Sequence, residues 1–308
     1  MTSAPVSGPV LIACAMDEEA AAFALEDAQE LEPPLAGVAA RRGRLQSLDE
    51  RAPGAEVVLL TTGIGLVAAA GAATWAIGAF APRAVISAGT GGGLPADIAV
   101  GDVAVAESCT YGTADATEFG YERGQVPRQP VRFAAAEPLV EAALAGAPAA
   151  LKDHLERAGS GQADAGQSCS EQDAPEQDGA ERDDSGQDGS GQDDSGRDNS
   201  EQTAAAHPTT PGPVPHAAVR LGRILSGDTF VTARNVADMR EAFPDAVAAD
   251  MESCAIAQTA AAFGVPFISV RGISDLCGPV AGQDFHMALD EAAARSAAAV
   301  RGLLAALG

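Results

Sequence analysis

Ala249-Asp250-Met251-Glu252-Ser253 opens the stretch that decides the fold of this 308-residue chain. An alanine-rich segment follows, and Val265-Pro266-Phe267-Ile268-Ser269-Val270-Arg271-Gly272-Ile273 then runs into Ser274-Asp275. The run from Val265 to Ile273 is largely apolar and rich in β-branched residues, the pattern of a strand covered on both faces by helices. Asp275 is thereby placed at the carboxyl edge of that strand, where open α/β sheets hold their ligands. An aspartate near a core is costly unless it is hydrogen-bonded or useful, so Asp275 points first to a site, with a helix cap as the alternative.

The same alternation extends outward on both sides. Residues 10–15 read as a buried strand with a helix from Asp17, and residues 57–62 as a strand leading through Gly63-Ile64-Gly65 into an alanine-rich helix over 66–80. Residues 84–88 form a short strand that Gly89-Thr90-Gly91-Gly92-Gly93 is expected to break. Further on, 102–108 and 223–227 are strand-like, 137–144 and 236–243 helical, and 284–307 a long closing helix. Strands alternating with helices predict an α/β fold with a mostly parallel central sheet.

Between residues 159 and 215 the composition changes. Ser185-Gly186-Gln187-Asp188 recurs at Ser190 and, with one change, at Ser195, and 13 Asp and Glu stand against two Arg over residues 159–202. Such a segment cannot bury enough apolar area to offset its ordering entropy, so a disordered insert is expected within a single domain spanning 1–308. A long flexible loop adds only a slowly growing closure cost when its ends lie close together. The segment accounts for 11 of the 24 excess negative charges, and a surface of this sign argues against nucleic-acid or anionic-lipid partners. No basic residue precedes the apolar residues 10–15, and no apolar run approaches the ~20 residues of a membrane span. Five scattered cysteines without a Cys-x-x-Cys pair suit a reducing cytosol, and four isolated histidines offer no metal-ligand spacing, so no cofactor or metal is expected.

Several chemistries are excluded by missing motifs. The glycine run is neither a dinucleotide fingerprint nor a P-loop, and there is no Gly-x-Ser-x-Gly elbow. Taken alone, Glu18 and Glu19 suit a helix start, where an acid favours the macrodipole. Phe230, Met251, Ile64 and Phe119 suit core packing, and Arg271 suits a partner for a buried carboxylate. Cys254 and Cys277 read as small apolar packing residues rather than nucleophiles.

Taken in order, however, seven islands resemble 5′-methylthioadenosine/S-adenosylhomocysteine nucleosidases of the nucleoside phosphorylase superfamily. They are Cys14-Ala15-Met16-Asp17-Glu18-Glu19, Thr62-Gly63-Ile64-Gly65, Ala88-Gly89-Thr90-Gly91-Gly92 with Val100-Gly101-Asp102, Phe119-Gly120-Tyr121 with Gly124-Gln125-Val126-Pro127, Ser226-Gly227-Asp228, Asp250-Met251-Glu252 and Ile273-Ser274-Asp275. The resemblance implies a three-layer αβα sandwich around a mixed, mostly parallel central sheet, and hydrolysis of a purine N-glycosidic bond. That reaction passes through a cationic sugar and a base that must leave protonated.

By this resemblance Asp275 is the acid at the purine, Glu19 activates the attacking water, and Glu252 holds the ribose hydroxyls. Met251 lines the sugar pocket with Ile64 at its 5′ side, Phe230 stacks on the purine and Val231 reads its edge, with Met16 and Ser274 as further substrate-binding residues. Thr90 and Arg271 fall near the water or anion subsite, and Phe119 and Pro127 wall the 5′ pocket of a neighbouring protomer, which implies a homodimer. Thr90 stands where serine is usual and Asp250 where glutamate is usual, and Gly112-Thr113 replaces a more polar pair, which bears on preference and turnover. Two further readings within the superfamily are a futalosine or aminofutalosine hydrolase and a purine nucleoside phosphorylase. A phosphorylase needs a cationic pocket, and arginines other than Arg271 are scarce at the strand ends. A non-catalytic nucleoside-binding protein is the reading from another class.

Overall fold

A computed structural model describes residues 8–48, 54–165, 217–278 and 285–307. Its central parallel ladder consists of β4 (Ala55–Thr61), β1 (Val10–Cys14), β5 (Ala84–Gly93) and β10 (Phe267–Asp275), hydrogen-bonded in that order. A second parallel ladder joins β6 (Val103–Tyr111), β8 (Val219–Ser226) and β9 (Ala246–Asp250). Antiparallel pairing of β10 with β6 and of β9 with the glycine-rich end of β5 connects the two. The short β7 (Phe133–Ala134) lies antiparallel on β6.

Period-two alternation separates the two faces. Val10, Ile12 and Cys14 pack towards α1 (Asp17–Ala21), α3 (Glu137–Ala165) and α6 (Phe285–Leu307), whereas Leu11 and Ala13 pack towards α2 (Leu66–Phe80) and α5 (Ser253–Phe263). Helices on both faces of one sheet make the three-layer αβα sandwich, and the expected bounds of α2 match the observed helix. The helix α4 (Val236–Ala242) packs Val236 and Met239 into a smaller apolar cluster with Leu225 and Phe243.

Four expectations change. First, the glycine run does not break β5: Gly89 to Gly92 stay extended and pair with Arg271 to Asp275 of β10. Second, β2 (Leu25–Leu31) and β3 (Ala39–Leu45) add an antiparallel edge next to β4, so antiparallel pairing has a larger share than the alternation suggests. Their sequences, Leu-Glu-Asp-Ala-Gln-Glu-Leu and Ala-Ala-Arg-Arg-Gly-Arg-Leu, lack the apolar run of a covered strand because most of β2 is exposed, and such charged edges resist pairing with other chains.

Third, α3 runs past residue 144 to Ala165, with Pro148 inside it, since Ala147 and Leu151 are buried in the cluster that holds the inner face of α6. Gly146 and Gly302 allow the two helices to touch at backbone distance. Fourth, helix therefore continues across the compositional boundary at 159, and the remainder of the expected insert, from 166 to 215, lies outside the described residues.

Candidate active site

The two ladders part at β5. β10 stays beside it along nearly its whole length, whereas β1 pairs with it only as far as Ser87 and β9 takes over at Gly92 and Gly93. Divergence of two strands from a common neighbour leaves a crevice at their carboxyl ends, the usual place for a ligand in an α/β sheet. A cavity of about 170 Å³ opens there. Ten of the expected site residues line it: Met16, Glu19, Ile64, Thr90, Phe230, Val231, Met251, Glu252, Ser274 and Asp275.

Glycine forms the floor because the side chains around it need its space. A Cβ on Gly89, whose φ is +155°, would lie 2.5 Å from both a Glu19 oxygen and the Arg271 guanidinium. On Gly92 it would lie 2.5 Å from the Cys277 sulfur and 3.2 Å from an Asp275 oxygen.

Glu19 is buried in the first turn of α1 and folds back on its own helix start. Its Oε2 accepts from the backbone N–H groups of Ala15 at 2.9 Å and Met16 at 3.3 Å. Its Oε1 accepts from Thr90 twice, from the N–H at 2.7 Å and from the hydroxyl at 2.9 Å. Threonine thus supplies the donor that a serine hydroxyl would supply. Four donors on one carboxylate fix its orientation.

Asp275 ends β10. Its Oδ1 accepts from the N–H of Cys277 at 2.7 Å and its Oδ2 from the Ser274 hydroxyl at 3.1 Å. Cys277 adopts φ +54°, a left-handed conformation that turns the chain back after the aspartate. Burial, with Asp275 beside it, pushes the Cys277 thiol up to about 12, so this cysteine is an inert part of the wall. Cys254 is likewise buried and shifted upward, in line with packing roles for both.

Glu252 stands between β9 and α5. Its Oε1 accepts from the N–H of Gly65 at the start of α2, at 3.0 Å, while its Oε2 has the guanidinium of Arg271 at 3.9 Å. Burial raises its carboxyl to about 7, with Arg271 and the Gly65 hydrogen bond working against the shift and Asp250 and Glu19 adding to it. One oxygen thus keeps acceptor capacity for a ligand.

Arg271 sits apart from the ten. It is absent from the cavity lining and only 1% exposed, behind the wall. Its Nε donates to Asp250 Oδ2 at 2.8 Å and its Nη2 to the hydroxyls of Ser87 at 2.7 Å and Ser253 at 3.0 Å. Burial opposes its charge, but Asp250, Glu252 and Glu19 together hold the guanidinium charged beyond its ordinary range. The Nη1 atom, close under Gly89 with Glu19, has no hydrogen-bond partner. Partnering a buried carboxylate is thus the role the geometry gives this arginine.

Phe119 and Pro127 are also away from the cavity. Phe119, in a short 3-10 turn, is 82% exposed, and Pro127 is exposed as well. Core packing does not describe Ile64 or Phe230 either, since these are 56% and 49% exposed. Asp250 and Cys277 also line the cavity. The signal for Asp250 was its place at the end of β9, and for Cys277 its position two residues after Asp275. Among the described residues no cationic side chain lines the cavity, and no His, Cys, Asp and Glu group is arranged to hold a metal ion.

Known proteins are similar to this chain in sequence and fold. The family model of the phosphorylase superfamily matches residues 9–169 and 192–306. A 5′-methylthioadenosine/S-adenosylhomocysteine nucleosidase of Staphylococcus aureus (strain JH9) is 30% identical over 253 residues, 82% of each chain. The solved nucleosidase of Colwellia psychrerythraea 34H in complex with adenine is 29% identical, with a TM-score of 0.69 over 98% of this chain and 96% of that one. The Neisseria meningitidis nucleosidase in complex with methylthio-immucillin-A is 29% identical, with a TM-score of 0.68 over 97% and 99%. The family model and the identity over most of both chains together make this chain a member of the phosphorylase superfamily, in the family of the 5′-methylthioadenosine/S-adenosylhomocysteine nucleosidases.

Proposed function

We propose that the protein hydrolyses the N-glycosidic bond of 5′-methylthioadenosine and S-adenosylhomocysteine, releasing adenine and the 5′-thio-ribose. The observation that carries this reading is the convergence of Glu19, Glu252 and Asp275 on one cavity with no cationic side chain among its described lining residues. Three carboxylates suit a reaction whose sugar becomes cationic. They repel inorganic phosphate, which favours water as the nucleophile.

In this reading Asp275 gives its proton to the purine nitrogen as the bond to the sugar breaks, so the base leaves neutral. Glu252 accepts hydrogen bonds from the ribose hydroxyls. The Thr90 hydroxyl, committed as a donor to Glu19, has lone pairs left to orient a water, whose oxygen bonds to the sugar carbon while its proton passes to Glu19 and on to solvent. Phe230 and Val231 cover the purine, and Met16, Ile64 and Met251 the sugar. Phe119 and Pro127 complete the 5′ pocket from a second copy, a role supported by the exposure of Phe119, Val67 and Ile64.

Base release from 5′-methylthioadenosine, S-adenosylhomocysteine, aminofutalosine and inosine, each with and without phosphate, tests the reading by chromatography. Adenine freed from the two thio-nucleosides without phosphate is the expected result. Release that requires phosphate, or from aminofutalosine alone, would overturn it.

A further inference from the structure

Asp228 lies in the Gly227-Asp228-Thr229-Phe230-Val231 segment after β8, yet it is exposed and does not line the cavity. Its carboxylate instead crosses to α2, where Oδ1 accepts from the N–H of Leu66 at 2.8 Å. Leu66 is the first residue of that 15-residue helix, and the residue before it, Gly65, has no side chain to cap the free N–H groups. Gly65 has φ +101°, and a Cβ there would lie 2.9 Å from Asp228 Oδ1, so glycine is needed for the backbone and for the approach. The N–H of Gly65 itself donates to Glu252. One helix end therefore grips two carboxylates from two different loops.

The far side of the same segment is pinned separately. Asn235 accepts from the N–H of Thr232 at 2.8 Å and donates to the carbonyl of Phe230 at 3.2 Å. Phe230 and Val231 are thus held between two ties, of which the Asp228 tie is shared with the anchor of Glu252.

We propose that Asp228 is a positioning residue that sets the purine-covering loop and the ribose-binding carboxylate in register through the start of α2. The proposal rests on the nucleoside reading of the cavity. The test compares Asp228→Ala and Asp228→Asn for adenine dissociation constant by calorimetry, KM and kcat on 5′-methylthioadenosine, and Tm. Loss of a hydrogen bond to a charged group predicts about tenfold weaker adenine binding and higher KM for Asp228→Ala. Asp228→Asn, whose amide oxygen can accept the same N–H, should restore both to within about threefold of wild type.

Leu66→Pro gives an independent route, because proline is tolerated at a first helical position but lacks the N–H. It should reproduce the Asp228→Ala binding defect. A lower Tm with unchanged adenine affinity and KM would make the tie merely structural and overturn the proposal. So would an Asp228→Asn defect equal to that of alanine. Failure of the wild-type protein to bind adenine would instead defeat the nucleoside reading itself.

Discussion

Asp250 and Glu252 are two residues apart, both with side chains almost wholly buried, yet their surroundings are opposite. Asp250 accepts from Arg271, from the hydroxyls of Ser226 and Ser253, and from the N–H groups of Glu252 and Ser253. Glu252 has one backbone donor and a distant guanidinium. Both line the cavity, but the Asp250 carboxylate is saturated by its neighbours and serves the fold, whereas Glu252 is under-satisfied and keeps acceptor capacity for a ligand. For these two neighbours, negative charge alone does not mark the ligand-binding acid; unfilled acceptor capacity facing a void does.

Changes on the cavity side should therefore damage chemistry and spare the fold. The largest effect belongs to Asp275→Asn, which retains shape but cannot deliver a proton. A fall in kcat of about 10²–10⁴-fold with Tm near wild type is expected, and near-normal turnover would break the assignment of the acid.

Behind the wall the pattern should invert. Arg271→Met strands Asp250 as a buried charge and should lower unfolding free energy by about 3–5 kcal/mol in denaturant titrations. A stable but inactive Arg271→Met would move this arginine to the cavity side of the comparison.

The pH dependence sharpens the contrast further. Glu252 must be ionised to accept both ribose hydroxyls, so KM should rise as pH falls through about 7, by about tenfold per unit at most. The linkage to stability has the other sign. A carboxyl raised from 4.5 to about 7 binds its proton more tightly in the folded chain, so its contribution is present at acid pH and fades as pH rises between those values. Glu252→Gln should flatten both profiles, and an unchanged KM profile in that variant would remove Glu252 from the ribose role.

The smallest effect concerns Thr90. Thr90→Val keeps the backbone donor to Glu19 and removes the hydroxyl, for a loss of about 1–2 kcal/mol in kcat/KM, while Thr90→Ser should be near neutral. Equal activity in all three would exclude a water-orienting hydroxyl.

Legibility in the sequence followed the physics of each segment. Covered strands and the α2 helix declare themselves through apolar runs and alanine content, which is why β1, the first half of β5, β10 and α2 were readable. The β2–β3 hairpin was not, since an exposed edge strand carries charges instead of a pattern. Glycines 89 to 93 looked like a turn because composition cannot tell flexibility from lack of room. Ten cavity residues were readable through their resemblance to a family. Arg271 does not line the cavity, because a strand position does not reveal which carboxylate claims a side chain first.

That crowded floor has a further consequence for how such a site can change over generations. Gly89, Gly91 and Gly92 are each hemmed in by Glu19 and Arg271, by the carbonyl of Ala249, or by Cys277 and Asp275, so drift there is closed to any residue with a side chain. The half-exposed Ile64 and Phe230 at the rim have no such constraint. New substrate preferences in this lineage should therefore arise by substitution at the rim, over a floor that history leaves almost untouched.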